Sequence, residues 1–96
     1  MHATIRSYTD PNLADLLASN RDEVEEVIRG IPGVRSYTLM RTQDGCAAIT
    51  VGDDEKATRA TTDAAAEYLR RKSPSTPPPA LLNGDVIVQL GAGITV

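Results

Sequence analysis

Tryptophan and phenylalanine are absent from this chain of 96 residues, and three tyrosines are its whole aromatic content. Its core must therefore come from aliphatic and small side chains, and a domain of this size buries only about 60 to 70% of its unfolded surface. An interface with a second copy would add the burial that such a core lacks. The single cysteine, Cys46, excludes an internal disulfide, and one thiol with one histidine makes neither a zinc finger nor a Cys-x-x-Cys redox site. No metal is expected. Ten basic against thirteen acidic residues give a net charge of −3, with no basic block beyond Arg70, Arg71 and Lys72, which argues against nucleic acid as a partner. There is no basic-then-apolar leader and no apolar run of about 20 residues, so no membrane partner and a cytoplasmic location are the expectation.

What is present reads as one domain over residues 1–96. His2 to Tyr8, "HATIRSY", alternates with strand periodicity. Asp10 and Pro11 supply an N-cap and a pre-set first helical turn, and Leu13, Leu17, Val24, Val27, Ile28 and Ile31 follow at helical spacing, which predicts a helix from Pro11 to Arg29. Gly30, Pro32 and Gly33 stop it. A second strand begins near Val34. Asp44-Gly45 predicts a tight primed turn with positive φ, and Cys46 to Val51 is the third strand. A two-residue turn sets Gln43 opposite Cys46; a four-residue turn shifts the pairs and keeps the faces, whereas a three-residue turn exchanges them.

Asp53 or Asp54 can cap a second helix with Ala57, Ala60, Ala64, Ala65, Tyr68 and Leu69 as its apolar stripe. "SPSTPPP", Ser73 to Pro79, is a stiff surface connection. The last strand is predicted at "DVIVQL", Asp85 to Leu90, with Gly91 to Val96 as a tail. The glycine pairs in "GIPG" and "GAG" lack the spacing and the following helix of a phosphate site.

The order β-α-β-β-α-β is that of the ferredoxin-like α+β fold, a four-stranded antiparallel sheet with two helices on one face. The apolar set Ile5, Met40, Ile49 and Val51 is expected under the helices. That assignment leaves His2, Arg6, Tyr8, Tyr37, Leu39, Arg41 and Thr50 on the open face, where dimerisation would cover them.

At "GIPGVRSYTLMR", "GCAAITV" and "DDEKATRATTDAAAEYLRR" the chain resembles the dimeric α/β-barrel superfamily, which includes antibiotic-biosynthesis-type monooxygenases. The resemblance spans nearly the whole chain. It implies a homodimer formed through open sheet faces, with a pocket between sheet and helices or within the barrel, and monooxygenase-like chemistry on a small organic molecule. It carries over no catalytic residue. Members of the superfamily use Trp, Asn or His near the substrate, whereas this chain has no Trp, and Asn12, Asn20 and Asn83 all lie off the predicted strands. No cofactor is expected.

The candidate ligand-binding residues are Arg6, Tyr8, Tyr37, Leu39, Arg41 and Thr50. An inward guanidinium must meet an anion or a stacked ring to offset its desolvation. Tyrosine offers a flat organic molecule an apolar ring and a polar tip, while Leu39 and Thr50 would shape the floor. Arginine pairing across a dimer and tyrosine packing in its interface explain the same residues without a ligand. His2, beside Met1, reads as a solvated end. Cys46 reads as a small buried filler. The acidic set Asp22, Glu23, Glu25 and Glu26 reads as a solvated helix face, with Glu25 reaching Arg29. Three functions fit: an enzyme, a ligand-binding protein, and a dimer whose sheet face is only a packing interface.

Overall fold

In the computed structural model, which describes residues 1–91, β1 (His2–Tyr8), β2 (Val34–Arg41), β3 (Cys46–Gly52) and β4 (Ala80–Asp85) form one antiparallel sheet. Its strand order is β2-β3-β1-β4. Three helices accompany it: α1 (Leu13–Ser19), α2 (Arg21–Arg29) and α3 (Glu55–Lys72). This is the ferredoxin-like arrangement, with one helix more than the sequence predicts.

The extra helix arises at Asn20. Its backbone leaves the helical region at φ −113°, ψ 30°, and its side-chain amide donates to the Leu16 carbonyl at 2.8 Å, which divides the predicted Pro11–Arg29 helix in two. Asp10 also acts earlier than a cap. Its carboxylate accepts the Asn12 N–H at 3.0 Å and its carbonyl accepts the Leu13 N–H, so the helix starts at Leu13. Of the two candidate caps for α3, Asp54 is the one used, accepting from the Ala57 N–H at 2.9 Å.

The hairpin is the four-residue form. Arg41 pairs with Cys46, Tyr37 with Thr50 and Leu39 with Ala48. Gly45 does not take positive φ; among the described residues Gly33 alone does, at 85°. Gly45 is required for another reason, since a Cβ there would lie 2.2 Å from the Tyr8 carbonyl oxygen.

Two expectations are corrected. The last strand is Ala80–Asp85, not Asp85–Leu90: β4 runs antiparallel to β1 and its register ends with Asp85 opposite His2, where β1 itself runs out. Beyond it Val86 donates to the Met1 carbonyl at 2.9 Å, and Ile87, Val88 and Leu90 are exposed. The predicted tail and the "GAG" glycines lie, past Gly91, outside the described residues.

The face assignment is inverted as well. His2, Thr4, Arg6, Tyr8, Tyr37, Leu39, Ala48 and Thr50 point toward the helices, whereas Ile5, Met40, Ile49 and Val51 point away. Small side chains set this. A Cβ on Gly52 would come within 2.9 Å of the Ala57 methyl, so α3 settles closely onto β3. The buried face of α3 is Ala57, Thr58, Thr61 and Tyr68, with Ala60 exposed. Thr58 and Thr61 tolerate burial because their hydroxyls donate to the Glu55 and Ala57 carbonyls, each at 3.1 Å. The core gathers Tyr8, Leu13, Ala14, Leu17, Cys46 and Tyr68, flanked by Leu16, Val24, Val27, Leu39 and Leu69.

Candidate functional site

Where α1 and α2 stand off from β2, the layers do not close. Two cavities lie in this wedge and share Leu17, Val24, Tyr37 and Leu39 among their walls. The inner one, about 40 Å³, is lined by Arg6, Tyr8, Tyr37, Ala48 and Tyr68 together with aliphatic side chains of the helices. The outer one, about 400 Å³, reaches Ala14, Ala18, Arg21, Glu25, Met40, Arg41 and Cys46. That volume lies within the range of roughly 300–1,000 Å³ usual for sites that take small organic molecules.

Of the six candidates, Arg6, Tyr8, Tyr37 and Leu39 converge on the inner cavity, and Arg41 lines only the outer one. Arg41 is ion-paired with Asp15 of α1 at 2.8 Å, so it meets its carboxylate within its own chain. Thr50 is fully buried, its hydroxyl has no partner among the described residues, and it lines neither cavity.

Arg6 dominates the electrostatics. Only 1% of it is exposed; its Nε donates to the Tyr8 hydroxyl oxygen at 3.3 Å, and its Nη1 has no hydrogen-bond partner among the described residues. Burial pushes the Tyr37 phenol above its ordinary range, against the pull of the Arg6 charge. Burial likewise raises Tyr68, whose hydroxyl also lacks a partner. The Cys46 thiol is raised by burial and then by Asp10, with Arg41 and Arg6 opposing. A raised thiol is a poor nucleophile, as expected of a buried filler.

His2 is not a frayed end. Its Nδ1 lies 2.7 Å from the Thr58 hydroxyl, and it lines neither cavity. The acidic helix residues behave as predicted: Glu25 pairs with Arg29 at 3.9 Å and with Arg21 at 3.7 Å on an exposed face. Tyr68, Val27, Ile28 and Leu69 also line the inner cavity, and all four belong to the apolar helix stripes that the spacing predicts. Their helical spacing identified a buried face; that the face borders a void has no signature in the sequence.

No protein-family model matches the sequence, and neither does any curated protein. Solved structures do match. A monooxygenase from the gene ActVA-Orf6 of Streptomyces coelicolor, in complex with nanaomycin D, superposes with a TM-score of 0.60 at 25% identity, covering 99% of this chain and 91% of that one. The heme-degrader MhuD of Mycobacterium tuberculosis, with two hemes in its active site, gives 0.68 at 16% identity over 95% of this chain and 100% of that one. An antibiotic biosynthesis monooxygenase gives 0.66 at 17% identity, over 92% and 100% respectively. At these identities the likeness to the two monooxygenases and the heme-degrader is one of fold.

Proposed function

We propose that the chain forms a cytoplasmic homodimer that binds a small flat organic molecule in the wedge between its sheet and its helices and oxidises it in monooxygenase fashion, with dioxygen as the oxidant, one oxygen atom entering the substrate and the other leaving as water with two hydrogens and their electrons from the substrate itself. The observation that carries this reading is the paired cavity, in which Arg6, Tyr8, Tyr37 and Leu39 come together from two strands. The neighbours support it, since the ActVA-Orf6 monooxygenase holds nanaomycin D and MhuD holds heme on the same fold. Tyrosine rings and aliphatic walls suit a planar ligand, and the arginine suits a polar or anionic group on it.

A heme does not fit the residues present. The single histidine is turned to Thr58 outside both cavities, and Cys46, although it lines the outer cavity, has a thiol that burial holds in its neutral form, so neither an imidazole nor a thiolate is offered to iron.

The homodimer is supported by the sheet face away from the helices. Met40 is 47% exposed and Leu82 67% exposed there, and Ile87 and Val88 project beyond the end of β4. Dimerisation through that face would leave the wedge free for ligand. The second reading, a dimer with no ligand, accounts for the open face but leaves Arg6 unexplained.

Titration of the ¹⁵N-labelled protein with 2-naphthol tests the pocket. Amide shifts clustering at Leu17, Val24, Tyr37 and Leu39, and weaker binding by Tyr37→Ala, are the expected result. Shifts confined to the opposite sheet face would overturn the assignment.

A further inference from the structure

Arg6 is the one charged side chain in the buried set of the described residues. Every recorded ion pair involves other residues: Arg41 with Asp15, Lys72 with Glu23, Arg35 with Asp53, and four pairs along helix surfaces. No described carboxylate is ion-paired with it. An unpaired buried charge costs several kcal/mol in folding, about the scale of a small domain's net stability. The unsatisfied polar atoms around it reinforce the point. Arg6 Nη1 and Tyr68 Oη are both buried without partners, and both residues line the inner cavity. One is purely a donor and the other has a proton to give. Burial raises both Tyr37 and Tyr68, so these two phenols supply the cavity no negative charge.

Water alone would not complete this arrangement. An inner cavity of about 40 Å³ can admit water, which needs roughly 10–15 Å³ of such space. Water would satisfy hydrogen bonds and still leave the positive charge uncompensated in a poorly polarisable setting. An acceptor-only group with negative charge would meet both needs.

We propose that the inner cavity receives the carboxylate, or an equally compact oxyanion, of a flat organic acid, with one oxygen accepting from Arg6 Nη1 and the other from the Tyr68 hydroxyl. The inference rests on the small-molecule reading above and specifies its ligand class. Size sets the orientation: the inner cavity has room for a head group, and the ring system occupies the outer cavity of about 400 Å³ against Leu17, Val24 and Leu39. Arg41, more than half exposed and already paired with Asp15, remains at the rim.

Binding of 2-naphthoate and of its neutral isostere 2-naphthamide, measured by calorimetry with amide-shift mapping, tests the proposal. The acid should bind at least about tenfold more tightly than the amide, the effect of a charge-assisted hydrogen bond. Arg6→Gln should abolish that preference, and Arg41→Gln should retain it. Circular dichroism would verify folding of each variant, and Tyr68→Phe provides a milder second removal of a donor, expected to narrow the preference several-fold. Equal affinity of acid and amide, with shifts at the wedge, would overturn the anion site and leave the pocket standing. A preference lost with Arg41→Gln instead would move the anion to the rim and overturn it too. No shifts at the wedge with either compound would overturn the pocket itself.

Discussion

The Nε of Arg6 donates to the hydroxyl oxygen of Tyr8, two residues along the same strand face, at 3.3 Å, and both side chains are buried. This bond orients the guanidinium while leaving Nη1 unpartnered, a pre-set donor held at a folding cost.

That cost should be recoverable. Arg6→Met keeps much of the side-chain volume and removes the buried charge, so the ligand-free protein is expected to gain about 1–3 kcal/mol. Urea unfolding of the two proteins checks this. A destabilised variant would mean that the charge is compensated.

The hairpin glycine makes a steric prediction. At Gly45 a Cβ would meet the Tyr8 carbonyl at 2.2 Å, whereas at Gly84 nothing lies within 4 Å. Gly45→Ala should cost roughly 1–3 kcal/mol or more through overpacking, and Gly84→Ala should be neutral or stabilise by about 0.4–1 kcal/mol. Equal thermal shifts for both would contradict the close approach.

Alkaline pH should weaken the fold in two steps. Cys46 is raised above its ordinary 9.0, and Tyr37 and Tyr68 above 10.0. A raised acid keeps its proton longer folded than unfolded. Its contribution is therefore full below the unfolded value and declines as pH rises through the folded one. The melting temperature should begin to fall above pH 9 and fall further above pH 10, and Cys46→Ala should remove the first step. A profile unchanged by Cys46→Ala would show that the thiol takes no part.

The open sheet face sets the assembly prediction. Leu82→Asp places a charge among the exposed apolar residues of that face and should weaken a dimer at least tenfold by sedimentation velocity, while Tyr37→Ala, which faces the helices, should leave it intact. The reverse pattern would restore the mixed face as the contact surface.

The fold was legible because its signals are local: the strand alternation of "HATIRSY", the Gly30 to Gly33 stop, and a cap at Asp53 or Asp54. That Arg6, Tyr8, Tyr37 and Leu39 share one strand face was legible too, at any even hairpin register. Which side that face meets was not. Hydropathy ranked Ile5, Met40 and Ile49 as core, but helix approach depends on small groups such as Gly52, Ala57 and Thr58, whose contacts are long-range. The last strand was missed for a similar reason. "DVIVQL" has the stronger β composition, yet β1 offers partners only to Ala80–Asp85.

The break at Asn20 bears on how the wedge behaves over time. A helix as short as α1 falls below the roughly 12–15 residues needed to persist alone, so its order depends on Leu13, Ala14 and Leu17 staying in the core. Set off from α2 by the non-helical backbone of Asn20, it can fray without unravelling α2. Ala14, Leu17 and Ala18 form one wall of the outer cavity, so the amides of this helix of about two turns should exchange with solvent earliest among the helices. Ligand occupancy should slow them first.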